Sequence, residues 1–316
     1  MACDQRGLLY SPLVWGCTGI WFDWGRSALV YEKCYRHCCI VFIMETMKSS
    51  LKLVVGIVTY HPSQQTCERI MMLAAKGIPF LVFDNTPGEN FWPASIQSNV
   101  IRRGLNLGLG VALKALDEAA KQAGYSHMLY FDEDIVFDEN TILWIRQWYG
   151  YHQPDSCVGL IWFNYYFKGA KAPEASEAYP IKIAMSACSL INLEAASQIG
   201  GHTDRWFLEG IDYDFCFRLV QNKFQLLGVD HCPGIDPFAN QPGIFYTDIK
   251  GRKRLVRIQP MKRLWNFWYA LLDLTLRSLV QGPRNYAYLF FRNIFTYAYD
   301  QIIAICRTYW MKLWKK

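Results

Sequence analysis

What this chain lacks narrows it first. No run of about 18 uninterrupted apolar residues occurs in its 316 residues, so no transmembrane helix is expected. Regular cysteine spacing is also missing. The 11 cysteines are an odd number, and they argue for a reducing compartment rather than a secreted disulfide framework. Cys34, His37, Cys38 and Cys39 fall close together but match no zinc-ligand spacing. A complete dinucleotide fingerprint is absent too: Gly108 and Gly110 begin a G-x-G-x-x-G, but position 113 is Leu. Disorder is excluded by a hydrophobic content of 52% and an aromatic content of 16%.

Charge is sparse, at 19% of residues, and unevenly placed. From Lys250 onward there are 14 basic and 2 acidic residues, a net +12, which leaves −6 of the total +6 on everything before it. An acidic body with a basic end points to an anionic partner. Residues 1–46 have no sustained period and lack the order of a signal peptide. They are expected to be a non-native or disordered extension, with Met44 or Met47 as the natural start.

From Met47 the text becomes regular. Lys52 to Tyr60 is β-branched and nearly continuous, as in a strand buried on both faces. A helical pattern runs from Gln65 to Lys76, a second strand from Ile78 to Phe83, and a weaker third at Val100 and Ile101. A helix opens after Asn106-Leu107-Gly108-Leu109-Gly110, a strand covers Met128 to Phe131, and a helix covers Asn140 to Tyr149. This alternation predicts an α/β fold with a mostly parallel sheet flanked by helices. Further strands are read at Val158–Phe167, within Ile183–Leu193 and at Leu226–Asp230.

The chemistry gathers at strand ends. Met128 to Phe131 runs into Asp132-Glu133-Asp134. Carboxylates are not tolerated unpaired inside a buried strand, but at its C-terminal end they face the crevice where open α/β sheets bind ligands. Asp132 and Asp134 share a face in an extended segment, and two hard oxygen donors suit Mg²⁺ or Mn²⁺ beside a diphosphate. Strand-end carboxylates are common, however, and most are simply solvated. The loops after the first two strands fall on the same edge. There Thr59 and Tyr60 would line a base pocket, and Asp84-Asn85 would meet a pyrimidine imide or form an ordinary turn. Asn106 and Gly108 open a loop that would admit a ribose or phosphate at a helix N-terminus, or would be a tight connection. A second acidic group, Glu209, Asp212 and Asp214, lies among aromatics. Glu209 and Asp212 share a side if the segment opens a helix, and one of them is a candidate general base. His231 follows the last strand.

Taken together, VVGIVTYHP, FLVFDNTP, NLGLGVAL, LYFDEDIVF, SACSLINLEAASQIGG, FLEGIDYDFCFRL and VDHCPG resemble the family 2 glycosyltransferases of GT-A fold, and most nearly their rhamnosyltransferase-like branch. The resemblance implies an inverting, metal-dependent transfer of a sugar, with rhamnose from dTDP-rhamnose as the first expectation and a UDP-linked galactofuranose or hexose as the alternative. The acceptor would be a hydroxyl of a glycan or a lipid-linked saccharide. Position by position, it implies base and ribose contacts for Thr59, Asp84 and Asn85. Asp132 and Asp134 match the metal-binding motif, with His231 a further metal ligand to Mn²⁺ or Mg²⁺. Asp212 matches the catalytic base and Glu209 its acidic neighbour. The glycine loop departs from the family at Lys114, and Ala187 stands where Gly is frequent. The catalytic domain would span 47–250.

Two other classes fit less well. A nucleotidyltransferase wants a basic, glycine-rich loop after the first strand, where this chain has Tyr60-His61-Pro62-Ser63. A nucleic-acid-binding protein would explain the basic end but not the acidic clusters, so no nucleic-acid partner is expected. Residues 251–316 interleave aromatics with Arg and Lys, and Asn266, Ala270, Asp273 and Arg277 form a polar stripe at helical spacing. The expectation is an amphipathic helix lying on an anionic membrane surface, peripheral on the cytoplasmic face. The alternative is a helical pair packed on the catalytic domain or on a homodimer partner.

Overall fold

The computed structural model describes residues 51–165, 177–235, 244–247, 253–256 and 258–313. The expected N-terminal extension, residues 1–46, lies outside them, as do residues 166–176.

Eight strands form one sheet in the order β3-β2-β1-β4-β7-β5-β8-β6. They are β1 (Leu53–Thr59), β2 (Phe80–Asp84), β3 (Val100–Arg102), β4 (His127–Asp132), β5 (Val158–Tyr165), β6 (Ala178–Pro180), β7 (Ser189–Asn192) and β8 (Gln225–Cys232). The sheet is mostly parallel, as expected, with two strands inverted in it. The pairs β1–β2, β1–β4, β2–β3 and β5–β8 are parallel, whereas β7 runs antiparallel to both β4 and β5, and β6 to β8. The inverted β7 has a consequence for the site: its N-terminal end, with the loop before it, meets the C-terminal end of β4, where the Cys188 amide donates to the Tyr130 carbonyl at 2.8 Å.

Alternate residues of the central strands fill two cores, one on each face. Val55, Ile57, Leu129 and Phe131 pack with α1 (Gln64–Ala75) and α3 (Glu139–His152). Val54, Met128 and Tyr130 pack with α2 (Leu109–Gln122) and α5 (Ile211–Gln221), and a short α4 (Leu193–Gln198) joins that face. Helix starts carry their own caps. Ser63 accepts from the Thr66 amide, Asp138 and Thr141 form a reciprocal capping box, and Asn192 accepts from Glu194 and Ala195.

A two-stranded ribbon, β9 (Ile244–Thr247) with β10 (Lys253–Val256), precedes a helical hairpin, α6 (Met261–Gln281) and α7 (Asn285–Leu313). Leu271, Leu274, Tyr286 and Phe290 close around Phe217 of α5. Most of the polar stripe on α6 faces the opposite way from the sequence expectation. Ala270 is fully buried, Arg277 pairs with Asp214, and Asp273 pairs with Arg205 at 2.9 Å. Ala270, Asp273 and Arg277 thus meet the body of the protein while Asn266 stays exposed, and a second hydrophobic face of α6, away from buried Leu264, Phe267, Leu271 and Leu274, is left to solvent. Gly210 fixes how closely the helix approaches: its φ is +89°, and a Cβ there would lie 2.6 Å from the Ala270 Cβ.

Candidate active site

The C-terminal ends of β1, β2 and β4 lie in register at one edge, with Thr59 opposite Asp84 and Val58 opposite Asp132. What each end does there follows from its hydrogen bonds. Asp84 is fully buried, and both its oxygens are taken. Oδ1 accepts from Thr59 Oγ1 at 3.2 Å and the Thr86 amide at 3.0 Å, while Oδ2 accepts from Trp92 Nε1 at 3.1 Å and Arg102 Nε at 2.8 Å. Burial pushes its pKa up, but the bonds from Thr86, Arg102 and Trp92 outweigh that and hold the carboxyl below its ordinary range. In this conformation Asp84 and the buried Thr59 brace the loop. Tyr60, the next residue, is exposed.

Asn85 ties β2 to the glycine loop, donating to the Gly108 carbonyl at 3.2 Å and accepting from the Leu107 amide at 3.1 Å. Asn106 accepts from the Gly108 amide at 3.1 Å. The neighbour that makes glycine necessary at 108 is the protein itself: a Cβ there would lie 2.5 Å from the Phe207 carbonyl oxygen. Lys114 pairs with Asp204 at 2.9 Å on the surface.

The acidic turn after β4 is held from below. Glu133 accepts from the Tyr60 amide at 2.8 Å, and its carbonyl accepts from Arg69 at 2.6 Å and from Thr66 Oγ1 at 3.0 Å. Asp132 stands in a concentration of negative charge. Burial first, then Asp212, Asp134 and Glu133, push its pKa up to about 7. A cleft lined by His61, Ser63, Gln64, Thr66, Glu133 and Asp134 opens alongside.

Asp212 opens α5 beside this group. Ser186, in the loop before β7, donates to its Oδ1 through both the amide, at 3.2 Å, and the hydroxyl. Burial raises the Asp212 pKa, while Ser186 and the neighbouring His202 draw it back. The carboxylate is thus oriented on one oxygen and its basicity strengthened by desolvation. His202 is in turn held by the buried Asp117, whose carboxylate accepts from its Nδ1 at 2.7 Å and from Tyr130 OH at 2.6 Å. Neither Ser186 nor the Asp117–His202 pair stands out in the sequence. A serine in SACSL and an acid inside an amphipathic helix carry no local signal.

Two expected groupings do not form. Glu209 does not share a helical face with Asp212, because Gly210 caps α5 and the helix starts only at Ile211. Its carboxylate instead pairs with Arg263 of α6. His231, Asp132 and Asp134 are not preassembled as a three-ligand set. Among the described residues no group of three or more His, Cys, Asp and Glu side chains is placed to hold an ion. The two carboxylates Asp132 and Asp134 have the chemistry of a site completed by a ligand. Mg²⁺ is commonly held by one or two carboxylates with phosphate oxygens completing its shell, and the crowding of acids around Asp132 is the electrostatic condition that such an ion relieves.

Neither a family model nor a curated protein matches the sequence. Among solved structures, S. aureus TarS superposes with a TM-score of 0.50 at 12% identity, covering 78% of this chain and 43% of that one. The fold is GT-A. Two structures of TarS residues 1–349, one in complex with UDP-GlcNAc, give TM-scores of 0.47 and 0.45, again at 12% identity and covering 78% of this chain, with 71% and 72% of theirs. The chain therefore spans less than half the length of the full TarS structure. Asp132, at the C-terminal end of β4, and Asp212, at the start of α5, lie close enough at this edge of the sheet for the charge of one to raise the pKa of the other.

Proposed function

We propose that this protein is an inverting glycosyltransferase that moves a sugar from a nucleoside diphosphate to a hydroxyl acceptor. The observation that carries the reading is Asp212: a desolvated carboxylate, anchored on one oxygen by Ser186 and near enough to raise the pKa of Asp132 at the C-terminal edge of the sheet. In the reaction Asp212 accepts the proton of the acceptor hydroxyl. The acceptor oxygen bonds to the anomeric carbon as the bond from that carbon to the diphosphate oxygen breaks, and the configuration inverts. Asp132 and Asp134 would hold a Mg²⁺ or Mn²⁺ together with the diphosphate, and the chemistry such an ion supplies is neutralisation of charge on the departing group. Tyr60 flanks the base, and the turn held by Glu133 keeps its loop in place.

The proposed donor is dTDP-rhamnose, with UDP-galactofuranose or a UDP-hexose as the alternative. The proposed acceptor is a saccharide on a cell-surface glycan or its lipid carrier, reached from the cytoplasmic face of the membrane. A thermal-shift screen of these donors with Mn²⁺ or Mg²⁺, followed by transfer assays, tests the reading. Asp212→Asn is expected to keep donor binding and to lose about 10²–10⁴-fold in turnover, the span of a general base. Undiminished transfer by that variant would remove Asp212 from the role.

A further inference from the structure

The helical hairpin carries hydrophobic surface that its own packing does not use. On α6, Met261, Trp265, Tyr269, Leu272, Leu276 and Leu279 are exposed to between 49% and 64%. At 100° per residue these six positions fall within an arc of about 80°, which contains no charged residue. On α7, Tyr288, Phe291, Phe295, Tyr299 and Ile302 are exposed to between 45% and 70% and fall within a similar arc of about 80°. Other faces of the two helices hold the hairpin together: Leu271 and Leu274 pack with Tyr286 and Phe290, and the Phe267 and Tyr297 ring centroids lie 4.2 Å apart. Large apolar residues scattered singly on a surface are ordinary, but two continuous stripes mark an interaction surface.

The charge around the stripes selects the occupant. Lys262, Arg284 and Arg292 are exposed beside them, and the region from Lys250 onward has a net charge of +12. Of the two acids on the hairpin, Asp273 is already bound to Arg205 and Arg277. A two-fold contact between copies would press two such cationic surfaces together, which electrostatic complementarity disfavours. An anionic lipid surface offers the opposite charge and an apolar layer beneath it. Neither helix is long and apolar enough to cross a membrane among the described residues, so the available mode is to lie in the interface with aromatic side chains at headgroup depth.

We infer that the outward arcs of α6 and α7 form a single docking face by which the protein lies on an anionic lipid bilayer. This deepens the proposed membrane location by naming its contact residues, and it does not depend on sugar transfer, so the two readings fail separately. The test is flotation of the full chain with phosphatidylcholine vesicles, with and without phosphatidylglycerol, together with tryptophan emission. The wild type is expected to float with the anionic vesicles, to shift its emission to the blue, and to be released by high salt. The double variant Trp265→Ser/Leu276→Ser is expected to lose at least about tenfold in vesicle affinity, since it removes two large apolar side chains from the buried face. Should that variant unfold, Lys262→Glu/Arg292→Glu is the second arm, with weakened binding at an unchanged melting temperature. Absence of flotation by the wild type would overturn the inference. So would equal flotation of folded variants, or a wild-type dimer that the serine variant dissolves.

Discussion

At the scale of single residues, the site turns on how one carboxylate is held. Asp212 has its basicity raised by burial and moderated by two hydrogen bonds from Ser186. A donor to a carboxylate stabilises the ionised form, so removing it moves the pKa up. Ser186→Ala should therefore shift the acid limb of the pH–rate profile upward by roughly one unit, the equivalent of a charge-assisted hydrogen bond. Its activity deficit should be largest on the acid limb of the profile and should fade once Asp212 is fully ionised. A deficit independent of pH would mean that Ser186 only supports the loop. The acids at 132, 134 and 212 were legible in the sequence because a carboxylate beside a buried strand or an aromatic cluster conflicts with its surroundings. Ser186 was not, because its meaning depends on a partner 26 positions away. Asp84 was legible as a strand-end acid, but not its four protein donors, which come from Thr59, Thr86, Trp92 and Arg102.

At the scale of elements, hydrophobic period located the strands and helices but not their orientation. The run SLIN reads as a strand in either direction, and pairing with β4 and β5 made it antiparallel. The same limit explains α6. Its two faces were evident from the spacing, yet period does not say which face meets protein. Ion pairs to Asp214 and Arg205 and the small Ala270 against Gly210 turned most of the polar stripe inward. That contact makes a prediction for the element. Gly210→Ala adds a methyl 2.6 Å from the Ala270 Cβ at a φ of +89°. Left-handed strain and overpacking together should cost about 2–4 kcal/mol, read as a lower denaturant midpoint. Gly77→Ala is the control: its φ is +63° and nothing lies within 4 Å of an added Cβ. It carries the strain alone and should be milder. Equal losses would mean that α6 yields easily at this contact.

At the scale of the molecule, the uneven charge was the earliest signal and the one most changed by structure. The acidic body gathers its charge around Asp132, and the basic region folds into a hairpin bolted to that body through Arg263–Glu209 and Arg277–Asp214. The site and the hydrophobic face are thus joined by ion pairs and a methyl-thin contact rather than by a slack tether.

That rigidity works as a ruler. If α6 lies along lipid, the Gly210–Ala270 contact sets the altitude of Asp212 above the bilayer, since Asp212 follows Gly210 by two residues. An acceptor hydroxyl must then be carried to that altitude by its own stem. Vesicle-bound acceptors with a graded series of spacers should show a sharp optimum in turnover, and the same series in detergent-free solution should show none. A flat response on vesicles would mean that the site travels freely over its membrane, whatever holds it there.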